Sequence, residues 1–143
     1  MVDSTIKILA IGLLVTLSAC TYTTTKPDDT DSVNYVNWTT TNILSNWNYS
    51  FFRDQATPEL LKHFDTKQFV RFHDEVRRAV GDTVKYTQAH GVTRFLSIPH
   101  DGVSEIAEYT TTVEFTHGIG TVYVTAVKLN GHWRLDGFYV HFD

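Results

Sequence analysis

The stretch LNGHWRLDGFYV, residues 129–140, decides the fold of this chain. Asn130-Gly131 is the strongest short signal for a β-hairpin, because both residues readily adopt the positive φ that a type I′ turn requires. Apolar and polar residues alternate on either side of it, which is typical of half-buried strands. A two-residue loop at this position pairs Leu129 with His132 and fixes the register of the two strands.

Further strands precede this hairpin. We expect a turn at Gly118-Ile119, or a loop over 117–120, and either one pairs His117 with Gly120. Pro99-His100-Asp101-Gly102 predicts another turn. The predicted strands cover residues 104–116, 121–129 and 132–142, with one or two more within 83–98. Together they predict an antiparallel β-meander.

Alternation divides the side chains of the last three strands between two faces. The inward set contains Tyr109, Thr111, Val113, Phe115, Val122, Val124, Ala126, Trp133, Leu135 and Tyr139. The outward set contains Glu108, Thr110, Thr112, Glu114, Tyr123, Thr125, Val127, Arg134, Asp136, Phe138 and Val140. The inward set is mostly apolar, and its small residues leave room for helices, so we expect the helices to pack there.

Helical spacing dominates the region before the strands. Apolar residues recur at three- and four-residue spacing over residues 33–52, which predicts a helix with Asp31 or Ser32 as its N-cap. Thr57-Pro58 opens a short second helix. A third helix begins with the capping-box-like motif Asp65–Gln68. Helices followed by a meander predict an α+β fold of two layers.

The hairpin that opened this section resembles the last hairpin of small domains with the nuclear-transport-factor-2-like or cystatin-like fold. Many of these are bacterial lipoproteins that end in a similar Asp/Asn-Gly-x-Trp-x-hydrophobic pattern. The resemblance covers roughly residues 32–143, because the order of helices before strands is similar too. It implies N-terminal helices packed on one face of a curved antiparallel β-meander, often around a conical pocket. Some members are enzymes, and ketosteroid isomerase-like ones place a carboxylate and hydroxyl donors in that pocket.

The N-terminus has the pattern of a secretory signal over residues 1–19. Lys7 precedes an apolar run, 8–19, which is shorter than the about 20 residues that cross a bilayer. The run ends in Leu17-Ser18-Ala19-Cys20, which resembles the lipobox of bacterial lipoproteins. In that family the peptide is cut before the cysteine, which is then acylated. The alternative is an ordinary secretory signal followed by a chance cysteine.

Acylation of Cys20 implies a location. Thr21 stands where family members retained at the inner membrane usually carry Asp, so the resemblance implies palmitate anchoring at the periplasmic face of a bacterial outer membrane. Cys20 is the only cysteine, so we expect no disulfide in the mature domain. Residues 20–31 are rich in Thr and Asp, and we expect a flexible tether there, followed by a single domain over residues 32–143.

Composition and motifs restrict the function classes. The chain is 42% hydrophobic and 13% aromatic, which is typical of a globular domain. Its net charge is −4 and it has no basic run, so we expect no nucleic-acid partner. We also expect no metal and no cofactor. The 7 histidines show no HExxH pattern, and the chain has no P-loop and no G-x-S-x-G motif.

Inward-facing polar and aromatic residues are the candidates for a ligand pocket between helices and sheet. They are Tyr109, Thr111, Trp133 and Tyr139. The tyrosine hydroxyls could donate hydrogen bonds to a bound ligand. The alternative is that these tyrosines belong to the core and that their hydroxyls bond locally.

Outward-facing aromatic, apolar and basic residues are the candidates for an interaction surface. They are Tyr123, Arg134, Phe138, Val140 and Phe142. A contiguous exposed apolar patch is typical of a partner surface. The alternative is a solvated sheet face stabilised by cross-strand pairs.

These observations lead to three hypotheses about function. The first is a membrane-anchored periplasmic module that binds a protein partner or a second copy of itself and catalyses nothing. The second is a carrier of a small apolar ligand, or an enzyme, that uses a pocket between helices and sheet. The third is an inhibitor or immunity-type protein that acts through its surface.

Overall fold

The computed structural model describes residues 23–142, and this part of the chain begins with a strand. The elements follow in the order β1 (Thr23–Pro27), α1 (Thr30–Asn46), α2 (Tyr49–Gln55), α3 (Pro58–His63), α4 (Thr66–Val80), β2 (Thr83–Tyr86), β3 (His90–His100), β4 (Val103–Phe115), β5 (Gly118–Leu129) and β6 (His132–Phe142). Over these residues the fold is α+β, with four helices packed against an open six-stranded antiparallel sheet. The strand order is β1-β3-β4-β5-β6, and β2 pairs with β4 beside β3. The predicted class is therefore confirmed.

The predicted tether is wrong from residue 23 onward. Thr23–Pro27 forms the edge strand β1, which runs antiparallel to β3 and pairs Thr23 with Leu96. Helix α1 then begins at Thr30, and its N-cap is Asp29 rather than Asp31 or Ser32. All residues of β1 are exposed, so this strand lacks the apolar alternation that reveals a half-buried one. The described domain thus starts at residue 23, while Cys20 and the signal lie outside the described residues.

The helices form largely where the sequence places them. The first predicted helix is broken, because Trp47 adopts a left-handed conformation with φ of 47° and Asn48 caps α2. The second prediction is confirmed, since the Thr57 side chain accepts from the amide of Leu60. The capping box of α4 is confirmed as well, with Asp65 and Gln68 exchanging hydrogen bonds.

The β5–β6 hairpin keeps the predicted register only in its first half. Leu129 pairs with His132 as expected, and the same register continues to Ala126 and Leu135. A bulge then intervenes, so that Thr125 pairs with Gly137. An extra residue in one strand moves every later side chain to the opposite face. The face assignments after residue 136 are therefore inverted relative to the prediction.

The preceding hairpin turns earlier than predicted. Phe115 pairs with Gly118, so the turn lies at Thr116 and His117, and Gly120 pairs with Val113 instead of His117. The shift is by an even number of residues, and side chains alternate with a period of two. The division of β4 and β5 into two faces is therefore the one that the sequence predicts.

The main core lies between the helices and one face of the sheet, which we call the inner face. Aromatic rings fill its helical side, where Phe69 lies 5.1 Å from Phe52 and 6.2 Å from Phe64 between ring centroids. A second apolar cluster, formed by Leu96, Val103, Ile106 and Val127, is buried separately. No helix among the described residues is both long and apolar enough to cross a membrane.

Candidate functional site

The sheet face opposite the main core, called the outer face below, carries a partly exposed aromatic pair. His90, Thr110, Tyr123 and Tyr139 lie side by side across β3, β4, β5 and β6. The Tyr123 and Tyr139 rings are 5.5 Å apart and tilted by 46°. Tyr123 keeps 44% of its surface exposed. Rigid aromatic rings at a surface provide large contact area at a low cost in conformational entropy.

Charged groups lie next to this pair on the same face. Glu108 occupies the neighbouring cross-strand row, and Arg94 the row beyond it. The guanidinium of Arg94 contacts the Glu108 carboxylate at 3.2 Å, and both side chains are partly exposed. A shallow depression of about 250 Å³ opens beside Tyr123 and Glu108. The face therefore offers an aromatic platform with an anion one cross-strand row away and a cation two rows away.

A small pocket lies between the start of α3 and the neighbouring ends of β4 and β5. Its walls are mostly apolar, and Thr57 and Asp136 add polar groups. The Asp136 carboxylate is 3% exposed and accepts a hydrogen bond of 2.7 Å from the Thr57 hydroxyl. The lining residues are Thr57, Pro58, Glu59, Asp101, Val103, Val127, Leu129 and Asp136. The volume of about 160 Å³ is below the roughly 300–1,000 Å³ of ordinary ligand pockets.

The four predicted pocket residues do not form one pocket. Tyr109 and Thr111 are buried in the sheet, and Trp133 lies half-buried near the start of α1. Tyr139 lies on the outer face, because the bulge reverses its side. The prediction that Tyr139 faces inward is therefore wrong.

The hydroxyl of Tyr109 is used to fasten the N-terminal segment to the sheet. It accepts a hydrogen bond of 3.1 Å from the Asp29 amide and lies 2.9 Å from the Thr93 hydroxyl. The Thr93 hydroxyl is 2.6 Å from that of Ser32. Tyr109 is therefore a core tyrosine, as the alternative interpretation predicts, although its hydroxyl bonds to partners that are 16 and 80 positions away along the chain. Its role is to hold the start of α1 in place.

Trp133 belongs to a polar cluster at the start of α1. Its indole nitrogen donates to Asp31 at 2.9 Å, and the Lys128 ammonium lies 3.2 Å from Asp31 and 3.3 Å from Glu105. The same ammonium lies 5.6 Å from the centre of the Trp133 ring. The hydrogen bonds from Trp133 and then from Lys128 lower the pKa of Asp31 below its ordinary value of 3.8. Sequence reasoning missed this cluster because its members are far apart along the chain.

Replacing Asp31 by asparagine tests this cluster through pH. A carboxylate with a lowered pKa stabilises the fold fully above its unfolded pKa, and this contribution is lost as the pH falls through the folded pKa. We expect the variant to be less stable at neutral pH by at most about 1 kcal/mol, since exposed ion pairs contribute little. The difference should shrink as the pH falls below 3.8 and vanish once the pH is below the lowered pKa of the folded state. Urea unfolding at several pH values measures it, with the exposed Asp74→Asn as control; a gap that persists at low pH contradicts this assignment.

The predicted interaction residues divide between core and surface. Tyr123 lies on the outer face, as does Arg134, which pairs with Val127. Phe138 and Val140 are buried in the main core, and the partly buried Phe142 packs against it. Their assignment to an exposed patch is therefore wrong, and the bulge is the reason. Sequence reasoning paired the wrong residues with Tyr123, and the residue it missed is Tyr139.

The polar residues of the described domain do not assemble into a metal-binding group. Among residues 23–142, no three His, Cys, Asp or Glu side chains converge on one point. The outer face with its tyrosine pair is the candidate site. No protein family model, curated protein or solved structure matches this chain.

Proposed function

We propose that this chain is a lipid-anchored periplasmic module that binds a protein partner through the outer face of its sheet. The observation that carries the proposal is the pair formed by the exposed Tyr123 and the half-buried Tyr139 beside the Arg94–Glu108 ion pair. Tyrosine and arginine are enriched at interfaces, where they supply much of the binding energy.

Removing both rings tests the binding face. In crosslinking from intact cells, we expect Tyr123→Ala with Tyr139→Ala to reduce capture of the partner at least tenfold, since central interface aromatics are common hot spots. Val84→Ala, at an exposed apolar residue of β2, is the matched control. Unchanged capture by the double variant rejects this face. A crosslinked product of twice the chain mass identifies a second copy as the partner.

The anchor is supported by Leu17-Ser18-Ala19-Cys20 and has its own experiment. Cys20→Ser should abolish incorporation of labelled palmitate and release the protein from the membrane fraction, because stable anchoring needs two or more acyl chains. Thr21→Asp is the matched control, which should keep the label but move the protein to the inner membrane. A Cys20→Ser variant that stays with membranes contradicts the anchor.

We further propose the nuclear-transport-factor-2-like or cystatin-like fold for this domain. Two features support it, namely helices before the strands β3 to β6 and a final hairpin that carries Trp133. The strand β1 ahead of the helices is an addition to the order of elements that the resemblance implies. An inhibitor or immunity-type role uses the same outer face, and the identity of the captured protein distinguishes it.

A further inference from the structure

The distance between Cys20 and the folded domain is short. Only Thr21 and Tyr22 separate Cys20 from Thr23, the first residue of β1. Successive Cα atoms are 3.8 Å apart, so the Cα of Cys20 lies within about 11 Å of that of Thr23. β1 is itself fixed to β3 by a register that runs from Thr23–Leu96 to Pro27–Val92. An acyl group on Cys20 would therefore hold one end of the sheet near the bilayer.

Strand directions show which end this is. β3 runs past Leu96 to His100, so the turn between β3 and β4 lies at the same end as Thr23. The turn between β5 and β6 joins it, since the Asn130 amide donates to the Gly102 carbonyl at 2.9 Å. We call this the anchor end, comprising Thr23, residues 97–103 and residues 129–132.

The anchor end exposes an apolar side chain. Ile98 has 66% of its surface in contact with solvent, and the neighbouring Pro99 is exposed too. The register between β3 and β4 shifts between Phe95 and His100, so the pairing with β4 is irregular around Ile98. Residues 97–103 and 129–132 contain one carboxylate, Asp101, so little charge opposes contact with a lipid surface.

We propose that the anchor end rests on the phospholipid bilayer, with Ile98 in the boundary between headgroups and acyl chains. This inference depends on the proposed acylation of Cys20. Three features favour a membrane surface as the binding partner of the anchor end. They are the short distance from Cys20 to β1, the pairing of β1 with β3, and the exposed Ile98. The strands then rise from the membrane. At about 3.3 Å per residue, Tyr123, which pairs with Thr110, stands roughly 20 Å above it.

Site-specific labelling tests the proposal. The acylated full-length protein carries a single added cysteine at Ile98, labelled with an environment-sensitive fluorophore, in vesicles of phosphatidylethanolamine and phosphatidylglycerol. We expect blue-shifted emission and at least threefold stronger quenching by spin-labelled lipid than at Ile119. Ile119 is the matched control because it is 54% exposed and lies roughly 35 Å away at the other end of the strands. Equal quenching at the two positions overturns the proposal.

Two further measurements separate the possible failures. A flexible Gly/Ser insertion between Tyr22 and Thr23 should reduce quenching at position 98 towards the value at 119, because Cys20 would no longer hold Thr23 close to the membrane. Hydrogen exchange of the unlabelled protein should be slower over 97–102 on vesicles than in the Cys20→Ser variant in solution, and equal rates overturn the proposal. Palmitate incorporation is measured on the same preparations. Its absence refutes the anchor itself, whereas acylated protein without contact at Ile98 refutes only the orientation.

Discussion

Replacing Phe138 by alanine is expected to lower the free energy of unfolding by about 3–5 kcal/mol, the usual cost of deleting a buried phenylalanine ring. Phe138 is 4% exposed, pairs with Val124 on the inner face, and lies 6.1 Å from the Phe72 ring. The cavity left by the ring would face both the sheet and α4. Chemical unfolding in urea, followed by circular dichroism, measures the loss.

Tyr139→Ala is the matched control for this prediction. Tyr139 is the next residue along β6, yet it lies on the outer face against Tyr123. Its removal should lower stability by only about 1 kcal/mol, because Tyr139 is half-buried and the ring contact that it loses is the one with Tyr123. If the strand alternated regularly without a bulge, Tyr139 would face the core and Phe138 the outer face. Tyr139→Ala would then cost more stability than Phe138→Ala. A larger loss for Tyr139→Ala than for Phe138→Ala would therefore show that the bulge is absent.

The bulge explains why three of the five residues of the predicted binding surface were wrong. Alternation correctly assigned the faces of β4 and β5 and the first pairs of β6, because each strand there is regular. The sequence does contain a signal for the interruption, since an isolated glycine such as Gly137 within a strand pattern often marks a bulge. The sequence contains no local signal for the hydrogen-bond partner of Asp136. That partner is Thr57, which is 79 positions away along the chain.

The missed strand β1 has a different physical cause. An exposed edge strand buries no side chains, so it needs no apolar alternation and resembles a polar linker in sequence. Its stability comes from backbone pairing with β3 and from contacts at its end. Long-range bonds such as that from Asp29 to Tyr109, 80 positions away along the chain, leave no local pattern. Helix caps such as Asp65–Gln68 were predictable because their partners lie within one turn.

Replacing Gly91 by alanine is expected to cost about 3 kcal/mol, at the upper end of ordinary overpacking effects. A Cβ atom on Gly91 would lie 2.1 Å from the Glu108 carbonyl oxygen and 2.7 Å from the Tyr109 Cα, both of which belong to the backbone of β4. The backbone of β4 is paired on both sides, so it cannot shift away cheaply. Gly91 also exchanges two hydrogen bonds of 2.9 Å with Asp28, so displacement of β3 would loosen the corner between β1 and α1.

Gly131→Ala separates this packing effect from the general cost of replacing glycine. Gly131 has a φ of +82°, but no atom lies within 4 Å of the added methyl group, so only the left-handed strain of about 1–2 kcal/mol applies. Hydrogen exchange should show faster opening of β1 in the Gly91 variant and unchanged exchange in the middle of β5. Equal stability losses in the two variants would contradict the close contact of β3 with β4.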